Sequence, residues 1–261
     1  LRNLIKKISG NSKKTYLLTS ECMKEKEIYE TIFNDKLVKK YREIIGEEVY
    51  LVPELHVQIN QFPKSKLAGW HYDGQSERNN NYLKKKNRKF FRVGIYLQEN
   101  NKEFGGGIDI LNNKLFKILP LKINQRIESK IIHLISLFQK KTIISKKGSV
   151  VFFDSRLPHK GTFPKNKNIF NNINKYTIYF QIGNKEHCKY FIDNSVKRMF
   201  NNFDNPNVSN YFLDYLKINY PEEYPIDFLN LLKKNKINIM TAGKTETVFF
   251  KQFKDYIENL K

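Results

Sequence analysis

The stretch Ala68-Gly69-Trp70-His71-Tyr72-Asp73-Gly74 decides how the rest of the chain is read, because it sets an imidazole and a carboxylate two residues apart in a segment suited to a strand. Alternate residues of a strand project from one face, so His71 and Asp73 can grip one ion together. Trp70 and Tyr72 fall on the opposite face, where core packing is their expected role. Two such ligands are only half of a metal centre, and a third has to come from elsewhere in the chain.

Composition limits the possibilities. The chain has 261 residues, 40% hydrophobic and 14% aromatic, ample for a packed core. Its 47 Lys and Arg against 26 Asp and Glu give a formal charge of +21, which suits an anionic partner such as nucleic acid, a membrane surface or an acidic substrate. A second reading has equal standing: Lys is accompanied by abundant Asn, Ile and Tyr throughout, the pattern of a genome-wide compositional bias. Cys22 and Cys188 stand far apart with no CxxC, so neither a disulfide framework nor a zinc knuckle is indicated, and a reducing cytoplasm is the expected location. No apolar run approaches the roughly 18 residues of a membrane span, and the start at Leu1 has no signal-peptide pattern. Leu1 in place of Met leaves room for a segment upstream.

Residues 1–20 are basic and unpatterned and are expected as a loose entry. Between 21 and 45, Ile28, Ile32, Phe33, Leu37, Val38, Tyr41 and Ile45 recur at helical spacing, with a break expected near Asn34-Asp35. The period then changes. In 49–62, His56, Gln58 and Asn60 alternate with Leu55, Val57 and Ile59, the pattern of a strand with one polar side. Residues 75–89 read as a polar loop, 91–98 as a strand with Arg92, Gly94, Tyr96 and Gln98 on one face, and Gly105-Gly106-Gly107 as the turn into a strand at 108–111. A strand near 115–121, a helix over 125–139, a buried strand over 149–154 and an alternating strand over 175–183 follow. From 188 onward the pattern is helical, interrupted at Pro206, Pro221 and Pro225 and ending in an amphipathic 249–260. The expected organisation is one domain: a helical flank at 1–48, a mainly β core at 49–184 carrying an insertion at 112–147, and a helical extension at 185–261.

Strands with one polar face are ordinary on the outside of an antiparallel sheet. Here successive polar faces carry His, Gln, Asn, Arg, Tyr and Lys, and one carries the His-x-Asp. A jelly roll with a polar interior explains all of them together. Of the five histidines, His133 lies on the 125–139 helix, His187 in a turn-like context and His56 on the first polar face. His159 stands just past the buried strand and before a glycine. Alone it would read as structural. Joined to His71 and Asp73, it completes the two-His, one-carboxylate set of non-haem Fe(II) oxygenases, which leaves three positions open on the metal.

The ordered set His71-Tyr-Asp73, Arg92-Val-Gly-Ile-Tyr-Leu-Gln98 with Gly105-Gly-Gly-Ile, Gly148-Ser-Val-Val-Phe-Phe-Asp-Ser-Arg-Leu-Pro-His-Lys-Gly161 and the basic strand Lys175-Tyr-Thr-Ile-Tyr resembles the Fe(II)/2-oxoglutarate-dependent dioxygenases, within them the phytanoyl-CoA dioxygenase-like branch. It spans about residues 50–184. The resemblance implies a double-stranded β-helix (jelly-roll, cupin-like) with Fe(II) held by His71, Asp73 and His159. It implies 2-oxoglutarate anchored by Lys175, sixteen positions after His159, where most of the branch has Arg. A lysine supplies a point charge and no fork, so Thr177 or Tyr96 would help orient the cosubstrate. If Lys175 is one more surface lysine, Arg156 or Arg92 takes that role. The implied reaction consumes O2 and 2-oxoglutarate and hydroxylates a substrate C–H bond; Asp73, where halogenating relatives carry a small residue, speaks against halogenation. The loop at 75–89 and the excursion at 112–147 are the expected walls.

Gln58, Arg92, Arg156 and Lys160, together with the overall charge, suit a small anionic substrate: an acyl thioester, an acidic, phosphorylated or nucleotide-linked sugar, or a carboxylate. Two other classes remain. The charge and the Lys84-Lys-Lys-Asn-Arg-Lys89 run favour a nucleic-acid-binding or modifying protein, and a non-catalytic jelly-roll binding module needs no chemistry at all. No GxSxG is present and Cys22 sits in a helix-start context, so a hydrolase has no support.

Overall fold

Apolar alternation and its interruptions set the elements seen in the computed structural model, which describes residues 1–9, 16–59, 69–71, 88–111, 125–165, 175–201 and 224–241. In chain order these are α1 (Arg2–Ser9), β1 (Tyr16–Leu17), α2 (Thr19–Lys24), α3 (Lys26–Ile32), α4 (Asp35–Ile45), β2 (Val49–Ile59), β3 (Phe90–Tyr96), β4 (Ile108–Leu111), α5 (Gln125–Gln139), β5 (Lys140–Ile143), β6 (Val150–Asp154), β7 (His159–Gly161), β8 (Tyr176–Gly183), α6 (Lys185–Asn201), α7 (Ile226–Lys234) and β9 (Ile237–Ile239). The chain divides into two units, Leu1–Leu17 with His56–Phe180 and Leu18–Leu55 with Gln181–Lys261. Their boundaries fall inside β2 and β8, a few residues within the 49–184 limits expected for the core.

The first unit holds two sheets. One runs in the order β1, β2, β8, β3, β6; the other is β5, β4, β7. β3 and β6 pair antiparallel with Gly94 opposite Val151, and β4 pairs antiparallel with β5 on one side and β7 on the other. Ile108 of β4 packs with Phe153 of β6 and Tyr179 of β8, flanked by Ile110, Ile143 and Val151, so both sheets contribute to one apolar filling. The next residue of β4 must point the other way. Accordingly Leu111 packs outside the small sheet against Trp70 and Ile132 of α5, which gives Trp70 its expected core role. This is a strand-rich jelly roll of the double-stranded β-helix type with flanking helices.

Buried polar groups in this unit are compensated. Asp109, almost fully buried on the outer face of β4, accepts from Thr142 Oγ1 at 2.8 Å and Thr162 Oγ1 at 3.0 Å, with Lys140 Nζ 3.3 Å away. A carboxylate removed from water without such partners would cost several kcal/mol, about 3–5 on breaking a buried pair. Gly105 and Gly106 take φ of +67° and +79°, a region L side chains rarely adopt, and a Cβ on Gly105 would meet Thr162 O at 2.6 Å. The turn opens at Asn101, whose Oδ1 accepts from the amides of Glu103 and Phe104 at 2.9 and 2.8 Å.

In the second unit, the stretch expected as one interrupted helix over 21–45 is three helices. Asn34 accepts from Leu37 N at 3.1 Å and caps α4, the competition between side chain and backbone that ends α3. Glu25 is the second joint, at the end of α2 and the start of α3. Phe228 of α7 packs edge-on against Tyr29 and Phe33, and the buried Tyr41 hydroxyl donates to Ile32 O at 2.6 Å. β9 pairs in parallel with the start of β2, Val49 opposite Ile237.

Three expectations are corrected. The loose entry at 1–20 contains α1 and β1, with the Arg2 guanidinium 5.6 Å from the centroid of the Tyr176 ring and Leu17 opposite Val57; these elements are too short to show a period. The region after 188 is not helical throughout, since β9 adds a strand where it finds the free edge of β2. His187 lies in the first turn of α6 and not in a turn, its amide bonded to Asn184 Oδ1 at 3.0 Å. The expected strand at 115–121, the helix at 249–260, Asn60, Tyr72, Asp73 and residues 75–87 lie outside the described residues. No described helix is long and apolar enough to cross a membrane. Replacing Asn34 by Ala removes the α4 cap and should lower stability by about 1 kcal/mol, read as a lower urea midpoint at unchanged m value.

Candidate active site

His71 and His159 are brought together by the backbone itself. His71 N donates to His159 O at 3.0 Å, and His159 N donates to His71 O at 2.9 Å, an antiparallel bridge outside any longer ladder. Residues directly opposite in such a pair put their side chains on the same face. The two ring centroids are 4.4 Å apart with planes inclined at 57°. Each Nδ1 faces the carbonyl two residues earlier in its own chain, Gly69 O at 2.7 Å for His71 and Leu157 O at 2.8 Å for His159. A carbonyl can only accept, so Nδ1 carries the proton and, in a neutral ring, Nε2 carries the lone pair. Both imidazoles are thus held in the tautomer a metal ion needs, by the outer hydrogen bonds that usually orient such ligands. His159 is buried and edge-on to Phe153 at 4.9 Å, whereas His71 is exposed. Asp73 lies outside the described residues, and among the described residues no three His, Cys, Asp or Glu side chains cluster to hold a metal.

Lys175 stands immediately before β8, 3% exposed. Burial pushes its ammonium pKa down to about 8, because a charge is poorly solvated there. Its stem passes Gly106, where a Cβ would make ordinary contact with Lys175 Cδ at 3.5 Å and a tighter one with Asn100 Oδ1 at 3.0 Å. The entry to β8 is fixed by a run of buried amides: Tyr176 N to Gln98 Oε1 at 2.8 Å, Gln98 Nε2 to Asn100 Oδ1 at 2.9 Å and Asn100 Nδ2 to Ser145 Oγ at 2.7 Å. Two residues after Lys175, on the same strand face, Thr177 is completely buried and its Oγ1 has no hydrogen-bond partner among the described residues. A buried hydroxyl left unpaired costs about 1–3 kcal/mol, so this one calls for an acceptor beyond the described residues.

Next along that face, Tyr179 meets the strand opposite. Its hydroxyl is 3.3 Å from that of the fully buried Tyr96, and burial, reinforced by Tyr179, holds the Tyr96 phenol well above its ordinary range. Tyr179 lies against Gly94, where a Cβ would stand 2.8 Å from Cε1. The half-buried Arg92 sets its guanidinium 5.3 Å from the Tyr179 ring centre and its Nη2 3.3 Å from His56 Nε2. Gln58, half-buried, pairs through its backbone with Tyr16.

Two of the expected substrate groups are committed elsewhere. Arg156 is clamped by Asp154 two residues earlier, with Nε 2.9 Å from both carboxylate oxygens and Nη2 in contact with Oδ2. Lys160, next to His159 on the strand, faces the outer side, its Nζ 5.1 Å from the centre of Trp70; it does not line the mouth with His159. His56 and Tyr179 join Arg92 unforeseen as a group, although alternation already placed each on a polar strand face. The run Gln98, Asn100 and Ser145 leaves no sequence signal, because Asn100 and Ser145 lie outside any alternating stretch.

Among solved structures, HygX from Streptomyces hygroscopicus with nickel and 2-oxoglutarate bound matches 70% of this chain and 76% of its own, at 11% identity and a TM-score of 0.50. EctD from S. alaskensis with bound Fe matches at 12% identity and a TM-score of 0.47, over 66% of this chain and 58% of its own. SnoN, a non-heme alpha ketoglutarate dependent epimerase from nogalamycin biosynthesis, matches at 10% identity and a TM-score of 0.44, over 65% and 60%. The chain therefore spans about three fifths of EctD and SnoN. The likeness to HygX is one of fold, a jelly roll solved there with nickel and 2-oxoglutarate bound. None of the three distinguishes the phytanoyl-CoA dioxygenase-like branch. No protein-family model matches the chain, nor does any curated protein.

Gly94→Ala should force Tyr179 off its seat and lower stability by about 1–3 kcal/mol, measured by chemical denaturation, because the strand backbone cannot retreat from the added methyl.

Proposed function

We propose that this protein is an Fe(II)- and 2-oxoglutarate-dependent oxygenase that hydroxylates a C–H bond of a small anionic molecule. The observation that carries the reading is the facing pair His71 and His159, each with Nδ1 turned to a backbone carbonyl. Asp73, two residues beyond His71, is the carboxylate that completes the set. Bound Fe(II) with 2-oxoglutarate and O2 supplies the oxidising chemistry, with 2-oxoglutarate consumed to succinate and CO2. The protein's share is to hold and orient. Lys175 offers its ammonium and Thr177 its unpartnered hydroxyl to the far carboxylate of 2-oxoglutarate, and both groups are buried enough for the contact to be strong. The buried Tyr96 phenol, its pKa held well above the ordinary range, stays a neutral donor or acceptor toward Tyr179, and Phe153, Ile108 and Ile110 keep water from the interior.

Arg92, half-buried on the polar interior face and stacked on Tyr179, is the group best placed to receive an anionic substrate. Acyl thioesters, carboxylates and acidic, phosphorylated or nucleotide-linked sugars all fit that requirement. Asp73 in place of a small residue favours hydroxylation over halogenation.

Anaerobic titration with Fe(II) and 2-oxoglutarate should develop the weak visible charge-transfer band of the chelate, and His71→Ala, Asp73→Ala and His159→Ala should each abolish it. An unchanged band in all three variants overturns the triad; an unchanged oxygen level with Fe(II), 2-oxoglutarate and a broad substrate panel returns the chain to the non-catalytic binding modules. Thr177→Val should weaken 2-oxoglutarate binding roughly five- to twentyfold, the scale of one lost buried hydrogen bond. Lys175 predicts a pH dependence with a definite sign. Its pKa is depressed to about 8, so the charge is complete well below that pH and lost as pH rises through it. Binding a carboxylate favours the charged form, so 2-oxoglutarate affinity should be flat toward pH 7 and fall by about tenfold per pH unit above 8. A Lys175→Arg variant, charged throughout, should lose that dependence; if it titrates as the wild type does, another group anchors the cosubstrate.

A further inference from the structure

The outer face of α5 carries large apolar side chains that stay exposed. One side of the helix is spent on packing, Ile132 against Trp70 and Leu111 with Ile135 beside it. On the other side Ile127 is 52% exposed, Leu134 62%, Leu137 65% and Phe138 85%, and Ile144, just past β5, is 62% exposed. Ile127, Leu134 and Phe138 recur at i, i+7 and i+11, so they share one face of the helix. Isolated exposed aliphatics need no explanation, but a run of large ones along one helix face in a folded protein marks an interaction surface.

Charge identifies the partner. Residues 125–147 contain six basic residues, Arg126, Lys130, Lys140, Lys141, Lys146 and Lys147, against one acidic residue, Glu128. Lys130, Lys146 and Lys147 are exposed in this segment, whereas Lys141 stands opposite Ile110 and so on the other face of the small sheet. A second copy of the chain would have to bring two such basic segments together, which like-charge repulsion opposes. Single-stranded nucleic acid is bound on platforms of aromatic rings, and Phe138 is the one aromatic residue in the segment. Large exposed aliphatic side chains in a segment with exposed lysines instead match the boundary between acyl chains and anionic headgroups, where apolar side chains enter the bilayer and lysine stems reach back to the phosphates. We propose that the exposed face of α5, with residues 144–147, docks the protein peripherally on an anionic phospholipid surface. Such docking lays a helix in the plane of the interface and needs no spanning segment, in keeping with the absence of one among the described helices.

The test is co-sedimentation of the full chain with vesicles of phosphatidylcholine alone and of phosphatidylcholine containing about 30 mol% phosphatidylserine. The wild type should pellet with the second and not the first, and release as salt is raised. Leu137→Ser with Phe138→Ser should reduce the bound fraction at a given lipid concentration by about tenfold or more. Charge reversal at Lys130, Lys146 and Lys147 to Glu should abolish binding while leaving the melting temperature of the protein near that of the wild type, since all three side chains are exposed. Equal pelleting of the wild type and both variants overturns the proposal, as does failure of the wild type to bind anionic vesicles. A concentration-dependent dimer or an oligonucleotide complex lost in the same two variants, without vesicle binding, reassigns the face and overturns it as well.

Discussion

Two backbone hydrogen bonds between His71 and His159 set the geometry on which the site rests. They hold the imidazoles opposite one another, and the carbonyls of Gly69 and Leu157 then fix each ring's tautomer. The supports of that bridge are themselves ordinary packing. His159 is positioned by the pairing of β7 with β4, where it stands opposite Ile110, and β4 is anchored through Ile108 to Phe153 and Tyr179. His71 follows Trp70, whose burial against Leu111 and Ile132 ties the start of the site to α5. The placement of the two imidazoles is thus inherited from apolar contacts on both faces of a three-stranded sheet, a rigid support of the kind preorganised sites require.

Burial of polar groups follows two different rules in the same unit. Asp109, on the outer face, is matched by two hydroxyls and a lysine, and its role is to hold β4, β5 and the chain after β7 together. Lys175 and Thr177, on the inner face, are arranged differently: an ammonium with a depressed pKa stands beside a hydroxyl with no partner among the described residues. A structural network satisfies its members in the empty protein, whereas a binding site keeps some capacity in reserve.

Strand alternation made most of this architecture legible. Because the period is two, the polar faces of 91–98 and 175–183 could be written down residue by residue, and Arg92, Tyr96, Lys175, Thr177 and Tyr179 prove to share an interior or its border. The helix over 125–139 was equally plain from its spacing. Illegible elements were those whose existence depends on a partner: β1 and β9 are two and three residues long and form on the edge of β2, and β7 has too few residues for any pattern. The direction of Lys160 and the clamping of Arg156 by Asp154 could not be read because both depend on local register and turn geometry, and a basic residue near a histidine looks the same in sequence whichever way it points.

The three-residue length of β7 carries an evolutionary constraint. His159 faces inward and Lys160 outward only because β7 pairs with β4 in one register, Lys160 opposite Asp109. A one-residue slip of β7 against β4 would exchange the two, turning an ammonium inward and an imidazole toward Trp70 and Asp109. A slip of two would keep the histidine inward. Three ladder pairs thus decide which side chain enters the interior, while the turn carrying Ser155, Arg156 and Leu157 is free to change in length so long as that register is kept.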